Sequence, residues 1–465
     1  MEELEHFAHL NLDDEDDKAE KVVGHGQVGS RTREVVIPRD EESYEKVCLE
    51  RWPNSVEEKR VLDKRHKTVH TWQRFYEAME DSAKRFASRR VFEQRREFGV
   101  ASSTPATSSK RQKSARDQNS LPIRYSIIAV AVSAEYAAVL VRDGNDENQA
   151  PGGRLWTLST SNYPSGNWRR SDVTVEGFQA GYTIGDVLYI VSDMSIDIYK
   201  MPSVERVYHV NVWTRTAWSS IDPDHPYVQS TPVLLKGCTN VIRASPHLVV
   251  VVTSQRGFMV WQIVSRKLVP LHYENPNIAE EGAQFQYTTA AIYMDSIVVG
   301  RTDGIVEIWK LDQSKEENTL HRVSADDWFQ PVTASDTGRL ITPTPGQPIN
   351  CLDMSGAKLA ISTEKDLIQI NRSEFNQTFC PLVDIATPAS LSIFGDMLAV
   401  MTRDGGFSVA EFGSGLTYCN TARSVEDAQE DCVVGQQWVF VSGDMAGGLW
   451  PNGNLNLLSH FSMKQ

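Results

Sequence analysis

Thr289-Ala-Ala-Ile-Tyr-Met-Asp-Ser-Ile-Val-Val-Gly-Arg-Thr-Asp-Gly-Ile-Val-Glu-Ile-Trp-Lys-Leu311 is the stretch that decides the fold. Two β-branched apolar runs flank a short polar segment holding Asp303-Gly304, and Trp309 lies near the end of the second run. Asp-Gly between alternating apolar runs signals a hairpin, because Gly accepts the positive φ that a tight turn requires. The phrase recurs. It reads from Ile127 to Leu158 with Arg142-Asp143-Gly144, from Gly181 to Tyr199, and from Val241 to Ile263 with Arg256-Gly257. After the quoted copy it returns from Ile349 to Ile370, from Leu391 to Phe412 with Arg403-Asp404-Gly405, and from Cys432 to Trp450. Recurrence of a strand-turn-strand phrase at a spacing of roughly 40 to 50 residues is the mark of propeller blades. Seven copies predict an all-β, seven-bladed propeller over residues 121–463, with Leu455 to Phe461 closing the ring beside Leu121 to Ile128.

The 465 residues are 40% hydrophobic, enough for one large repeat domain and an appendage. The apolar run Leu248 to Val252 has the length of a strand and falls far short of a membrane span. The acidic start, Met-Glu-Glu-Leu-Glu-His, is unlike a secretory signal, so the expected location is the cytoplasm or nucleus, with no membrane partner. Of the 47 basic and 61 acidic residues, 24 and 37 fall after residue 120. A propeller so acidic repels phosphate backbones, which argues against nucleic acid as a partner. Six cysteines without a C-x-x-C pair give neither a zinc site nor a disulfide framework, and no metal or cofactor is expected. No P-loop, H-E-x-x-H or G-x-S-x-G is present, so no catalytic residue is assigned and the protein is expected to be non-enzymatic.

Residues 1–40 are acidic and then Gly-rich, and read as disordered. Gly24-His-Gly-Gln-Val-Gly29 spells G-x-G-x-x-G without the strand before and helix after that a pyrophosphate cradle needs, so it reads as a flexible linker. Over residues 41–100 the texture becomes helical. Tyr44, Val47, Cys48 and Trp52 share one helix face that stops at Pro53, and Trp72, Phe75, Tyr76 and Met79 share another. Lys84, Arg85, Arg89, Arg90, Arg95 and Arg96 read as a basic helix that continues the module. Residues 101–120, with Lys110-Arg-Gln-Lys113, read as a Ser-rich basic linker.

Ser43-Tyr-Glu-Lys-Val-Cys-Leu-Glu-Arg-Trp-Pro53, followed by Thr71-Trp-Gln-Arg-Phe-Tyr76, resembles the stretch just after the F-box in F-box proteins, although the box itself is not evident in residues 1–40. The resemblance covers about 35 residues and implies a substrate receptor of a cullin-type ubiquitin ligase, with Trp52 and Trp72 as adaptor-facing residues. The repeat region is similar to WD40 domains, Ile308-Trp309-Lys310 standing where those repeats end in Trp-Asp. That arrangement implies that the turns carrying Arg142, Arg256, Arg301 and Arg403 lie on one rim. An arginine rim there suits bidentate capture of acidic or phosphorylated peptide motifs on protein partners. The other reading of the chain is a WD40-like scaffold in a multiprotein complex unrelated to ubiquitin. Two longer insertions, with Trp213 and Trp218 and with Trp328 and Phe329, are further contact candidates.

Overall fold

The computed structural model describes residues 40–87 except 53, 54 and 68, then 92–96 and 98, and most of 125–459. Residues 1–39, 99–124, 144–151, 161–166, 212–238, 274–284, 313–318, 324–339, 414–431 and 460–465, with several shorter stretches, lie outside the described residues. The Gly-rich motif at 24–29, the 101–120 linker, Arg256 and the insertions with Trp213, Trp218, Trp328 and Phe329 fall there. The chain divides into two compact units, residues 1–77 and 78–465.

The first unit is helical. Asp40 caps Glu41–Arg51 by accepting the Ser43 N–H at 2.8 Å, and Ser55–His66 follows. Trp72–Ala87 begins in this unit, its first N–H groups held by the Glu41 carboxylate and by Thr71 Oγ1, which accepts from Arg74 N at 3.2 Å. Carboxylates at helix starts satisfy orphan donors and meet the positive end of the dipole. Trp52 packs edge-on against Phe75 at 5.9 Å and Tyr76 at 5.5 Å, and Tyr44 lies 5.5 Å from Tyr76. Val61, Leu62 and Val69 complete this small core. No described helix is long and apolar enough to cross a membrane.

The second unit is mostly β. Its seven sheets, among the described residues, follow chain order. The first holds Tyr125–Val132, Tyr136–Asp143, Gly153–Ser159 and Arg169–Val175, and the second Phe178–Ile184, Val187–Ser192, Ser195–Lys200 and Glu205–Asn211. The third holds Thr239–Ala244, Leu248–Thr253, Gly257–Val264 and Lys267–Pro270. The fourth holds Tyr287–Tyr293, Ser296–Arg301, Ile305–Asp312 and Thr319–Val323, with His272–Tyr273 and Leu340–Ile341 added at its margins. The fifth holds Cys351–Ser355, Lys358–Ser362, Asp366–Asn371 and Asn376–Pro381, and the sixth Pro388–Phe394, Met397–Thr402 and Phe407–Glu411. The seventh joins Val439–Val441, Met445–Leu449 and Leu455–Ser459 to Phe92–Arg96.

The first-named strand of each sheet, its leading strand, lies against the leading strand of the next. The seventh sheet returns to the first through a parallel bridge between Gln437 and Ala131. This is a propeller-like fold. Successive sheets pack face to face, and the Leu248–Thr253 strand shows how. Val249 and Val251 pack with Val191, Ile196 and Ile198 of the second sheet, while Val250 and Val252 pack with Ala290, Val299 and Trp309 of the fourth. A strand buried on both faces reads as a continuous apolar run because alternate side chains serve different neighbours. Trp261 and Trp309 fill gaps between sheets, as their positions predict.

Two expectations are corrected. Residues 92–96 are a strand and not a basic helix: Phe92–Arg96 pairs antiparallel with Leu455–Ser459, from Phe92 opposite Ser459 to Arg96 opposite Leu455. The C-terminal strand therefore closes on this upstream segment rather than on Leu121 to Ile128. Phe98 then wedges 5.7 Å from Trp156 and 5.1 Å from Trp168 of the first sheet, and its N–H donates to Asn454 Oδ1 at 3.0 Å.

The Asp303-Gly304 turn forms as its sequence predicts, with Gly304 at φ 84 and its N–H donating to Arg301 O at 3.3 Å. The two-residue turns after leading strands show a contrast. Gly185, Gly356 and Gly395 take φ of 53, 61 and 57, and in the fourth sheet Met294 takes φ 50. A side chain in this region costs about 1 to 2 kcal/mol against glycine, and Met294, 60% exposed, recovers little by packing. Met294→Gly is expected to raise stability by about 1 kcal/mol. Denaturant melts of the two proteins check this; equal or lower stability of the variant would show that the methionine is held by contacts outside the turn.

Candidate functional site

Of the arginines expected on the rim, Arg301 is not exposed there. Arg301 is 2% exposed and fully engaged inside the fourth sheet. Its Nη1 donates to Glu307 Oε1 at 2.8 Å, its Nε and Nη2 donate to Asp303 at 3.1 and 2.5 Å, and its guanidinium carbon stands 3.3 Å from the Phe285 ring centre. Tyr287 OH and Trp309 Nε1 complete Glu307 Oε2, at 2.9 and 3.4 Å. Burial would depress the guanidinium pKa, and the hydrogen bonds to Asp303 and Glu307 more than reverse that. Arg301 therefore ties the turn to the core. A carboxylate at 301 would face Asp303 and Glu307 in the interior, at a cost of about 3 to 5 kcal/mol for a broken buried pair.

Arg142 is half-buried, its Nε donating to Gly152 O at 3.3 Å, and Arg403 is exposed. Arg256 lies outside the described residues. Trp52 is 2% exposed and belongs to the helical core, so it presents no surface to an adaptor. Trp72 is half-buried, with Lys59 Nζ 5.3 Å above its ring.

The leading strands bring together a different group of residues. Tyr182 of the second sheet, Arg243 of the third, and Cys351 and Asp353 of the fifth come from three such strands. The Arg243 guanidinium lies 5.3 Å from the Tyr182 ring centre and donates to Ile242 O at 2.9 Å. Asp353 Oδ2 accepts the Ile393 N–H of the sixth sheet at 2.5 Å, and the Met354 N–H also serves the carboxylate. Burial pushes Asp353 up to about 7, against these N–H groups and the charge of Arg243. Tyr182 is pushed up to about 12 by burial, with Arg243 opposing and Asp353 adding. The Cys351 thiol, also at about 12, feels burial first, then Ser362, Arg243, Asp353 and Arg403. Tyr182 and Asp353 lie deep in the protein and yet each keeps some accessible surface. Sequence reading passed over them because each sits singly in an apolar strand.

Neighbouring leading strands are tied by side chains that reach backbone groups. Ser390 Oγ and Ser392 Oγ accept the N–H groups of Trp438 and Val441, each at 3.2 Å. Gln437 clasps Thr183 like a backbone peptide, its Oε1 accepting Thr183 N at 2.7 Å and its Nε2 donating to Thr183 O at 3.0 Å. Among the described residues no group of three or more His, Cys, Asp or Glu side chains is placed to hold a metal ion. Cys48, Cys351, Cys380 and Cys432 are buried thiols outside any disulfide.

No family model matches the sequence, and no curated protein matches it. Among solved structures the chain is similar to the computationally designed Ika8 protein, with TM-score 0.42 and 10% identity over 73% of this chain and 98% of that one. It is also similar to Hsv2 of Kluyveromyces lactis, with TM-score 0.37 and 9% identity over 71% and 91%. The extracellular domain of a putative one-component system from B. thetaiotaomicron gives TM-score 0.40 and 14% identity over 72% of this chain and 39% of that one.

The raised Asp353 has a consequence for stability. Its folded pKa lies above its unfolded value of 3.8, so the folded state binds more protons in between, and stability falls as pH rises from about 4 to 7. Asp353→Asn removes that contribution. The difference in melting temperature, variant minus wild type, is expected to grow from pH 5 to about pH 7 and then level off; a difference independent of pH would mean that the carboxylate is ionised throughout.

Proposed function

We propose that the protein is a non-enzymatic recognition subunit built on a closed, seven-bladed, WD40-like propeller, working in the cytoplasm or nucleus. The observation that carries this reading is the chain-order neighbourhood of seven similar sheets, with Gln437 and Ala131 bringing the last back to the first. Such a ring turns its strand-connecting loops to two end faces, where protein partners dock without help from a cofactor. The finer reading is a substrate receptor of a cullin-type ubiquitin ligase. Its support is the likeness of residues 43–76 to the segment after an F-box, in which Cys48, Trp52, Phe75 and Tyr76 form one packed cluster. Trp72 and the exposed Leu49 and Val56 are the residues through which the helical unit would meet an adaptor. Arg403, exposed on a turn between the second and third strands, is the rim residue that remains for acidic or phosphorylated peptides.

The burial of Trp52 favours a second reading, in which the helical unit is a packed support and the propeller alone scaffolds a complex. Affinity purification of the full chain separates the two. As a ligase receptor it should recover the small F-box adaptor and a cullin, and the double variant Leu49→Asp with Trp72→Ala should lose both while melting near the wild-type temperature. Recovery of stable complexes that lack adaptor and cullin would overturn the ligase reading and leave the scaffold.

A further inference from the structure

Phe98 joins the margins of the first and seventh sheets. Its ring meets Trp156 and Trp168, its N–H reaches Asn454, and Gly453 gives it room, since a Cβ there would come within 3.0 Å of the Phe98 side chain. The three rings are half-buried, so each keeps part of its surface in water. The side chains beside them are basic. Arg170 stands opposite Trp156 in the strand pairing and therefore shares its face of the first sheet. It is exposed and makes no hydrogen bond or ion pair with a described residue. Arg154 lies 3.9 Å from the carboxylate of the fully exposed Asp172, a contact too open to water to hold it firmly. Across Phe98, the strand Phe92–Arg96 places Arg95 and Arg96 opposite Asn456 and Leu455. The two margins thus carry four arginines, Arg95, Arg96, Arg154 and Arg170, and of opposite sign Glu93 and Asp172. That balance runs against a chain of net charge -14.

We propose that this seam is a docking surface for an extended acidic segment of a partner protein. Guanidinium groups take carboxylates in two-pronged fashion, and a series of them along a seam matches carboxylates spaced along a strand-like peptide. The exposed parts of Phe98, Trp156 and Trp168 give the intervening side chains an apolar floor, which a bare basic patch lacks. A nucleic acid fits less well, because its unbroken line of phosphates would also meet the acidic remainder of the unit. Asp172 is the resident competitor for Arg154. The inference rests neither on the helical unit nor on ubiquitin, and the seam is separate from the turn that carries Arg403.

The probe is a dye-labelled peptide of about ten glutamates, about 35 Å when extended, titrated into the full chain and followed by fluorescence anisotropy. Binding should saturate and should weaken as salt rises. The double variant Arg154→Gln with Arg170→Glu should lose about tenfold or more in affinity, having lost two charge-assisted contacts. Asp172→Asn, which frees Arg154 from its competitor, should bind about two- to threefold more tightly, the scale of an exposed ion pair. Unchanged affinity in the double variant would overturn the inference, as would loss of binding in Arg403→Glu alone, which would move acidic recognition to the turn. Tighter binding of a thymidine oligonucleotide than of the peptide would overturn it in favour of nucleic acid. Should the double variant not fold, Arg170→Glu decides alone, since Arg170 is exposed.

Discussion

Each leading strand has a partner on one side only, and the arrangement of the second unit depends on how that open edge is handled. Unpaired N–H and C=O groups away from water carry the cost of a lost hydrogen bond, and an open edge also invites foreign strands. Here neighbouring leading strands lie side by side without forming a continuous ladder. Side chains therefore stand in for backbone: Asp353 for Ile393, Ser390 and Ser392 for Trp438 and Val441, and Gln437 for Thr183. A small set of polar residues on otherwise apolar strands follows from this geometry. Asp353 is one of them, and burial pushes its carboxyl up to about 7.

Face-to-face packing accounts for the rest. A four-stranded sheet whose two faces are both apolar is insoluble alone and becomes stable only between two others. Clusters joining the first and second, second and third, third and fourth, fourth and fifth, and fifth and sixth sheets show this repeated solution. Such a series has two raw ends unless it closes. The seventh sheet takes its outer strand, Phe92–Arg96, from the segment that precedes all the other strands, so that residues far apart in the chain share one sheet.

Much of this was legible. The Asp303-Gly304 turn, the apolar runs and the aromatic positions mark the sheets in order, because buried strands and tight turns leave strong local signals. Weak signals failed for physical reasons. Phe92-Glu-Gln-Arg-Arg96 has one apolar residue and follows a basic stretch, since an outer strand needs little apolar surface. Ser55–His66 was passed over as a helix because only Val56, Val61 and Leu62 are apolar in it, and Val56 faces out. Arg301 was misread through its turn position. Its partner Glu307 lies on the same strand face as Ile305 and Trp309, and a carboxylate there already implied a buried cation. The grouping of Tyr182, Arg243 and Asp353 was illegible because they come from strands more than fifty residues apart.

The central claim is that the upstream strand Phe92–Arg96 completes the seventh sheet beside Leu455–Ser459. Hydrogen exchange followed by mass spectrometry on the intact chain tests it most directly. The account predicts that amides of Phe92–Arg96 are protected to the same degree as those of Leu455–Ser459, opening together with them in one cooperative unit. Exchange of residues 92–96 at the rate of an unstructured peptide, with 455–459 still protected, would contradict it.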